Sequence, residues 1–203
     1  VEKVHVKNTG RCRELLIPGA DIILELSDNT ERKTKYSLIS VYKNGRLVNI
    51  DSQSPNTVAF EALMEGKLDC IGIPDTARRE VKYGSSRFDI YFEKDGKKGF
   101  IEVKGVTLEI DDNAAFPDAP TERGAKHIRE LINAAAEGYE AYILFVVQMK
   151  GPKAVIPNAE ADPKFTETLR YAAKNGVKVI AIDCIVNENE IKTDKLLPVK
   201  NIE

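Results

Sequence analysis

Apolar residues in the second half of the chain follow two distinct patterns. Residues 141–147 and 177–185 are short, almost uninterrupted apolar runs, which are typical of strands buried on both faces of a sheet. An apolar stripe at helical spacing predicts a helix over residues 121–137, and Asp162-Pro163 is a typical start for a second helix. This α-β-α-β order predicts two parallel strands joined by a right-handed crossover.

The middle of the chain alternates as a β-hairpin should. Residues 88–104 contain Asp95-Gly96, the pair favoured in a two-residue type I′ turn. With that turn, the numbers of facing residues sum to 191. The register then places an apolar face toward the core, with the pairs Phe88/Val103, Ile90/Ile101 and Phe92/Gly99. The opposite face carries Asp89 across from Glu102, and Arg87 across from Lys104. A further strand is predicted at 78–83 and a loop at 113–120.

Residues 1–51 consist of short predicted strands and turns without a helix. Strands at 22–26, 36–42 and 47–50 surround a turn at 27–30 and the hairpin signal Asn44-Gly45. We therefore expect a small OB-like β-barrel, and the lack of an initial methionine suggests that its first strands are missing. Ser54-Pro55-Asn56 marks the boundary, with Asn56 capping a helix that Gly66 ends. The predicted domains are 1–54 and 55–203, the second a mixed α/β sheet flanked by helices.

Composition narrows the class of protein. The 203 residues are 42% hydrophobic, and no apolar run approaches the ~18 residues of a membrane span. Three widely separated cysteines argue for reduced thiols and a cytoplasmic location rather than a zinc site or a disulfide framework. The net charge is −2, yet residues 77–106 hold eight Lys/Arg against five Asp/Glu. This local basic surplus suits a polyanionic partner such as DNA.

The hairpin face suggests metal chemistry. Two facing carboxylates repel unless a cation lies between them, and Mg²⁺ or Mn²⁺ would fill that role. Asp89 and Glu102 are thus the candidate metal ligands, and Lys104 is placed to hold an attacking water or a phosphate oxygen. The spacing Asp-x12-Glu-x-Lys resembles the motif of the PD-(D/E)xK nuclease superfamily, with Phe88 at the place of its proline. The alternative is a solvated hairpin face with a cross-strand ion pair.

Several basic residues are candidates for contact with DNA. Arg32, Lys33 and Lys35 precede Tyr36, which could stack a base, although charges on an edge strand also serve solubility. The first turns of the helix at 121–137 carry Lys126 and His127, where a helix N-terminus attracts phosphate unless this is an ordinary polar face. The residues expected to guide the DNA backbone beside the hairpin are Arg78, Arg79, Lys82 and Arg87.

Longer motifs resemble one family throughout the chain. They are Asn8-Thr9-Gly10-Arg11, Arg79-Glu80-Val81-Lys82-Tyr83-Gly84, Glu102-Val103-Lys104, Phe116-Pro117-Asp118-Ala119, Thr121-Glu122-Arg123-Gly124 and Leu144-Phe145-Val146-Val147-Gln148. These resemble the sugar fermentation stimulation proteins of bacteria and archaea. The resemblance implies an OB-like domain, a nuclease-like domain, DNA binding and a link to expression of sugar (maltose) genes. By analogy with the nuclease superfamily, Glu61 is a further candidate metal acid and Gln148 a polar residue at the active edge, or else a cap for a backbone group.

Two main functions follow. One is a Mg²⁺-dependent deoxyribonuclease that uses Asp89, Glu102 and Lys104. The other is a non-catalytic regulator of sugar fermentation genes that binds DNA without sequence specificity, since no element for reading bases is evident. A protein-interaction role is a third possibility. An exposed barrel or sheet edge would also permit a homodimer.

Overall fold

The N-terminal part is a four-stranded sheet organised around its longest strand. The computed structural model describes residues 1–8, 10–29 and 31–203, so Thr9 of the first motif and Thr30 of the predicted turn lie outside the described residues. The strands are β1 (His5–Val6), β2 (Ile22–Leu26), β3 (Tyr36–Lys43) and β4 (Arg46–Asn49). Strand β3 pairs with β1 in parallel and with β2 and β4 in antiparallel orientation. Asn44 and Gly45 both have positive φ, as the predicted two-residue turn requires.

The larger part is a six-stranded mixed sheet with helices. Its elements are α1 (Ser54–Met64), β5 (Thr76–Tyr83), β6 (Ser86–Lys94), β7 (Lys97–Val106), β8 (Leu108–Ile110), β9 (Asn113–Phe116), α2 (Glu122–Ala136), β10 (Glu140–Val147), β11 (Val155–Pro157), α3 (Pro163–Lys174), β12 (Val177–Val186) and β13 (Ile191–Leu197). The strand order is β13-β12-β10-β7-β6-β5. Strands β7, β10 and β12 are parallel, whereas β5, β6 and β13 are antiparallel to their neighbours. The predicted mixed α/β fold is confirmed.

Apolar residues fill both faces of this sheet. Along β10, Ile143 and Phe145 face one core, and Tyr142 and Leu144 face the other. Helices α2 and α3 cover the first face, with Ile128 and Leu169 among their buried residues, and α1 covers the second. Because successive strand residues point to opposite faces, a strand covered on both sides is apolar throughout, as its sequence predicts.

The helix starts show where side chains replace missing backbone bonds. Thr121 Oγ1 accepts a hydrogen bond from Gly124 N at 3.0 Å, and Asp162 Oδ1 accepts one from Phe165 N at 2.9 Å. Helix α1 begins at Ser54 with Pro55 in its first turn, so the prediction that Asn56 caps this helix is wrong. Proline suits the first turn because its missing N–H would have no partner there. The Asn56 side chain is thereby free for another contact.

A strand occupies the first half of the loop predicted at 113–120, and residues 117–120 are a loop as predicted. Strand β9 pairs with β8 and with β11, and Ala114 and Ala115 are almost fully buried in it. The partner β11 lies some forty residues further along the chain, so the local pattern of small residues did not reveal the strand. No helix in the described ranges is both long enough and apolar enough to cross a membrane.

Candidate active site

The central hairpin has the predicted register over most of its length. Residues Ile90 and Ile101 face each other, and the pairing continues to Lys94 and Lys97 around the turn. Asp95 and Gly96 have φ values of 51° and 77°, as a type I′ turn demands. The predicted register, in which the numbers of facing residues sum to 191, is therefore confirmed between the pair Ile90/Ile101 and the turn. The backbone pairing of β6 with β7 ends at Ile90, so it does not include Asp89.

Asp89 lies where the strands separate. Its Oδ2 accepts a hydrogen bond from Val103 N at 2.7 Å, and its Oδ1 accepts one from Asn56 Nδ2 at 2.8 Å. The pairing of β5 with β6 skips the position of Glu80, which has a φ of 58°. On either side of Asp89 along β6, Phe88 packs in one core and Ile90 in the other. The prediction that Phe88 shares a face with Ile90 is thus wrong.

Glu102 is the most buried group of the site. It is 2% exposed, and its Oε1 accepts hydrogen bonds from Lys104 Nζ at 2.6 Å and from His127 at 2.5 Å. Its Oε2 is also buried and has no hydrogen-bond partner among the described residues. One carboxylate oxygen is thus fixed by two side chains, while the other is left for a ligand outside the chain.

His127 does not have the role that its sequence position suggested. We predicted a contact with DNA phosphate, but this side chain is only 8% exposed and is bonded to Glu102. The signal was present, since His127, Leu131 and Ala134 follow the i, i+4, i+7 spacing of a buried helical face. Lys126, its neighbour, is exposed as predicted.

The two acids of the site ionise differently. Burial, reinforced by the nearby charge of Glu102, raises the pKa of Asp89 to about 6. Burial also opposes ionisation of Glu102, but the Lys104 ammonium and the His127 hydrogen bond outweigh it, so the pKa of Glu102 is lowered. Glu102 is therefore charged at neutral pH, whereas ionisation of Asp89 is opposed by its surroundings unless a cation compensates its charge.

These side chains line one cleft between the first turns of α1 and α2. The cleft has a volume of about 280 Å³, and its walls include Asn56, Asp89, Glu102, Lys104 and His127. Two carboxylates with an unpartnered buried oxygen fit a hard divalent cation such as Mg²⁺, which accepts oxygen ligands and keeps several waters. Within the described ranges no group of three or more His, Cys, Asp or Glu residues is gathered as a metal site. The fit is therefore to a cation held by two acids and water.

Glu61 does not join these acids. It is exposed, it does not line the cleft, and its charge acts instead on Lys192 of β13. Glu61 follows Asn56 by five residues, which places it roughly 140° around the helix from the residue that contacts Asp89. The prediction of Glu61 as a third metal acid is wrong, and Asn56 is the residue that α1 contributes.

The basic residues of the hairpin side form an exposed edge. Arg79 donates to Thr57 Oγ1 at 3.0 Å, beside the residue that contacts Asp89. Arg78 lies over the ring of Tyr91, and Arg87 forms a salt bridge of 3.4 Å with Glu80. Together with the exposed Lys82, these side chains follow the outermost strands of the sheet. None of them lines the acidic cleft, and Arg79 comes closest to it through its contact with Thr57 of α1.

The remaining predicted residues have mixed placements. Lys33 and Lys35 are exposed, and Lys35 lies 5.2 Å from the centre of the Tyr36 ring. Arg32 is partly buried and donates to the hydroxyl groups of Ser27, Thr34 and Ser37, which fix its side chain without neutralising its charge. Gln148 is 2% exposed, and its amide donates to Asn49 Oδ1 at 2.8 Å and to the Asp51 carbonyl at 3.1 Å. The capping alternative therefore describes Gln148, which joins the two parts of the chain.

Comparisons with known proteins agree along the whole chain. A family model described as "SfsA N-terminal OB domain" matches residues 1–50, and one described as "Sugar fermentation stimulation protein RE domain" matches residues 53–190. A sugar fermentation stimulation protein homolog of Alkaliphilus oremlandii is 53% identical over 195 residues, covering 94% of this chain and 83% of the relative. A homolog of Desulfitobacterium hafniense is 50% identical over 202 residues, covering 100% and 87%.

A solved structure is also similar. The chain described as Pyrococcus furiosus SfsA in complex with Ca²⁺ has a TM-score of 0.87 and 30% identity, with 98% of this chain and 86% of that one covered. The match therefore includes both the N-terminal sheet and the sheet that carries the acidic cleft. The chain belongs to the sugar fermentation stimulation protein (SfsA) family, with an N-terminal OB domain followed by a restriction-endonuclease-like domain.

Proposed function

We propose that this protein is a DNA phosphodiesterase that depends on Mg²⁺ or Mn²⁺. The observation that carries the proposal is the state of Glu102, a buried charged carboxylate with one oxygen held by Lys104 and His127 and the other without a partner. Asp89 lines the same cleft, and burial together with the nearby charge of Glu102 raises its pKa, which a cation in the cleft would oppose. The Ca²⁺ found with the Pyrococcus furiosus relative supports a divalent cation in this family.

The chain positions its two acids before any cation arrives. Asn56 and the Val103 N–H orient Asp89, and Lys104 and His127 orient Glu102. A bound Mg²⁺ would act as a Lewis acid on a phosphate oxygen and lower the pKa of a coordinated water. Lys104 lines the cleft beside these oxygens, where its ammonium would hold the attacking water or a non-bridging phosphate oxygen.

The surface charge supports DNA as the polyanion. The net charge of −2 would repel nucleic acid in general, yet Arg78, Arg79 and Lys82 are exposed on β5, the edge strand of the sheet that carries the cleft. Lys33 and Lys35 add two exposed cations on the OB domain. Such contacts neutralise phosphates without reading bases, so DNA binding should be salt-dependent and largely independent of sequence.

The decisive experiment combines metal binding with cleavage. Mg²⁺ and Mn²⁺ are titrated into the wild-type protein and the Glu102→Ala variant by calorimetry, and each protein is then incubated with labelled DNA. We expect wild type to bind metal and cleave DNA, and Glu102→Ala to lose both while its DNA affinity stays within a few-fold. Lys104→Ala should keep metal binding but lose cleavage, because it removes the ammonium and not a ligand.

The matched control is Glu167→Ala, which removes an exposed acid from α3. It should leave metal binding and cleavage unchanged. If wild type binds DNA in a salt-dependent manner but neither binds metal nor cleaves, the phosphodiesterase proposal fails. The protein would then be a non-catalytic DNA-binding protein that uses this fold as a platform.

A further inference from the structure

A second, larger cleft opens directly beside the two acids. Its volume is about 550 Å³, and it shares with the acidic cleft the stretch Val103–Gly105, Pro55 of α1 and the start of α2 at Thr121 and Arg123. The acidic cleft is therefore the narrow end of a longer depression. If a molecule is cleaved beside Asp89 and Glu102, the chemical group next to the cleaved bond would lie in the larger cleft.

Both domains build the walls of this second cleft. Asn8 and Gly10 come from the OB domain, and Phe116–Thr121 come from the loop before α2. The two walls are tied together, because Asp118 Oδ2 accepts a hydrogen bond from Arg11 N at 2.7 Å. Within the OB domain, Asn8 is held by the hydrogen bond that its Nδ2 donates to the Ile50 carbonyl at 2.8 Å. The cleft is thus formed by these contacts without a ligand, as pockets for small molecules usually are.

Its floor depends on a close backbone approach. A Cβ added at Gly105 would lie 2.5 Å from Gln148 Oε1 and 2.6 Å from Pro55 Cγ. Because Gly105 has no side chain, the backbone of β7 can lie against Pro55 and Gln148 at the domain junction, where the two clefts meet. Lys104 lines both clefts but is paired with Glu102, and Asp118 and Glu122 also line the larger one. The cation left to meet a phosphate at this junction is Arg123, which is exposed and forms no salt bridge with any described residue.

We propose that this second cleft binds a single unpaired nucleotide next to the scissile phosphate. The inference rests on the proposed phosphodiesterase function. A volume of about 550 Å³ lies within the ~300–1,000 Å³ of pockets that hold one small ligand. A base inside a duplex is not available to such a pocket until it leaves the stack, whereas an unpaired base enters freely. The preferred substrate is then DNA with a single-stranded end or flap.

The test measures binding in EDTA, so that it needs neither metal nor cleavage. Two labelled duplexes of equal length are compared by fluorescence anisotropy, one blunt and one with a three-nucleotide overhang at each end. Ala119→Phe places a large side chain in the cleft wall, and Ala136→Phe makes the same change at an exposed site on the far end of α2. We expect wild type and Ala136→Phe to prefer the overhang at least about fivefold, and Ala119→Phe to lose that preference.

Equal affinity of wild type for the two duplexes would overturn the inference, as would an overhang preference that survives Ala119→Phe. Arg123→Gln provides a second variant if Ala119→Phe does not fold, and it too should reduce the preference. Calorimetry distinguishes failure of the proposed function from failure of this inference. If wild type prefers the overhang but binds no Mg²⁺ in calorimetry, the cleft is a nucleotide site and the phosphodiesterase proposal is wrong.

Discussion

In the absence of metal, the repulsion between Asp89 and Glu102 should make the wild-type protein less stable than a variant that lacks the charge of Asp89. We expect Asp89→Asn to stabilise the protein at pH 7, because the change removes a buried charge beside Glu102. Raising the pKa of Asp89 from 3.8 to about 6 corresponds to roughly 3 kcal/mol, at about 1.36 kcal/mol per pKa unit. The replacement amide still accepts from Val103 N, and Asn56 must turn its own amide to keep the second hydrogen bond. The expected gain is therefore about 1–3 kcal/mol.

The gain should depend on pH with a defined sign. Since the pKa of Asp89 is higher in the folded than in the unfolded protein, the destabilisation is absent below pH 3.8, grows as pH rises and is complete above about 6. The difference between Asp89→Asn and wild type should therefore be largest at pH 7 and small at pH 4. Mg²⁺ should reverse the order, because it stabilises only the protein that binds it.

Urea denaturation in EDTA at pH 7 and pH 4, followed by circular dichroism, measures these differences. Asp69→Asn, at an exposed site, is the matched control and should change stability little at either pH. A destabilised Asp89→Asn protein at pH 7 would refute the reasoning, since it would mean that the hydrogen bonds of Asp89 outweigh its charge burial. A gain that is equal at both pH values would refute it as well.

Three further results are expected. Replacing Lys33 and Lys35 together with Ala should weaken DNA binding and flatten the slope of log K against log salt by up to about 2, measured by anisotropy, and an unchanged slope would remove the OB domain from the DNA interface. Gln148→Leu removes the side-chain amide that donates to Asn49 Oδ1 and to the Asp51 carbonyl at the domain junction, and it should lower the free energy of unfolding by about 1–3 kcal/mol, with equal stability arguing against a structural role. Phe165→Ala empties a fully buried site and should lower it by about 3–5 kcal/mol in the same assay, and a loss below 1 kcal/mol would contradict the packing described.

Local features of the chain were sufficient to predict the hairpin and the positions of its two acids. A two-residue turn at Asp95-Gly96 fixes which residues face each other, and the period of two then places Asp89 and Glu102 near one another. Strands β10 and β12 could also be predicted from the sequence, because a strand that is buried on both faces is a continuous apolar run. Strand β9 was missed, since its stability comes from β11, which is distant along the chain.

The sequence by itself determined the mixed α/β fold and the three residues Asp89, Glu102 and Lys104, because turns and alternation are properties of neighbouring residues. Only the tertiary structure decided which side chains surround them. Asn56 reaches Asp89 from 33 residues away, and His127 reaches Glu102 from 25 residues away. Those contacts depend on where α1 and α2 begin and on which turn of each helix faces the sheet. The spacing of His127, Leu131 and Ala134 shows that His127 lies on the buried face of α2. Which strand residue it meets there is set by helix packing, which no local pattern encodes.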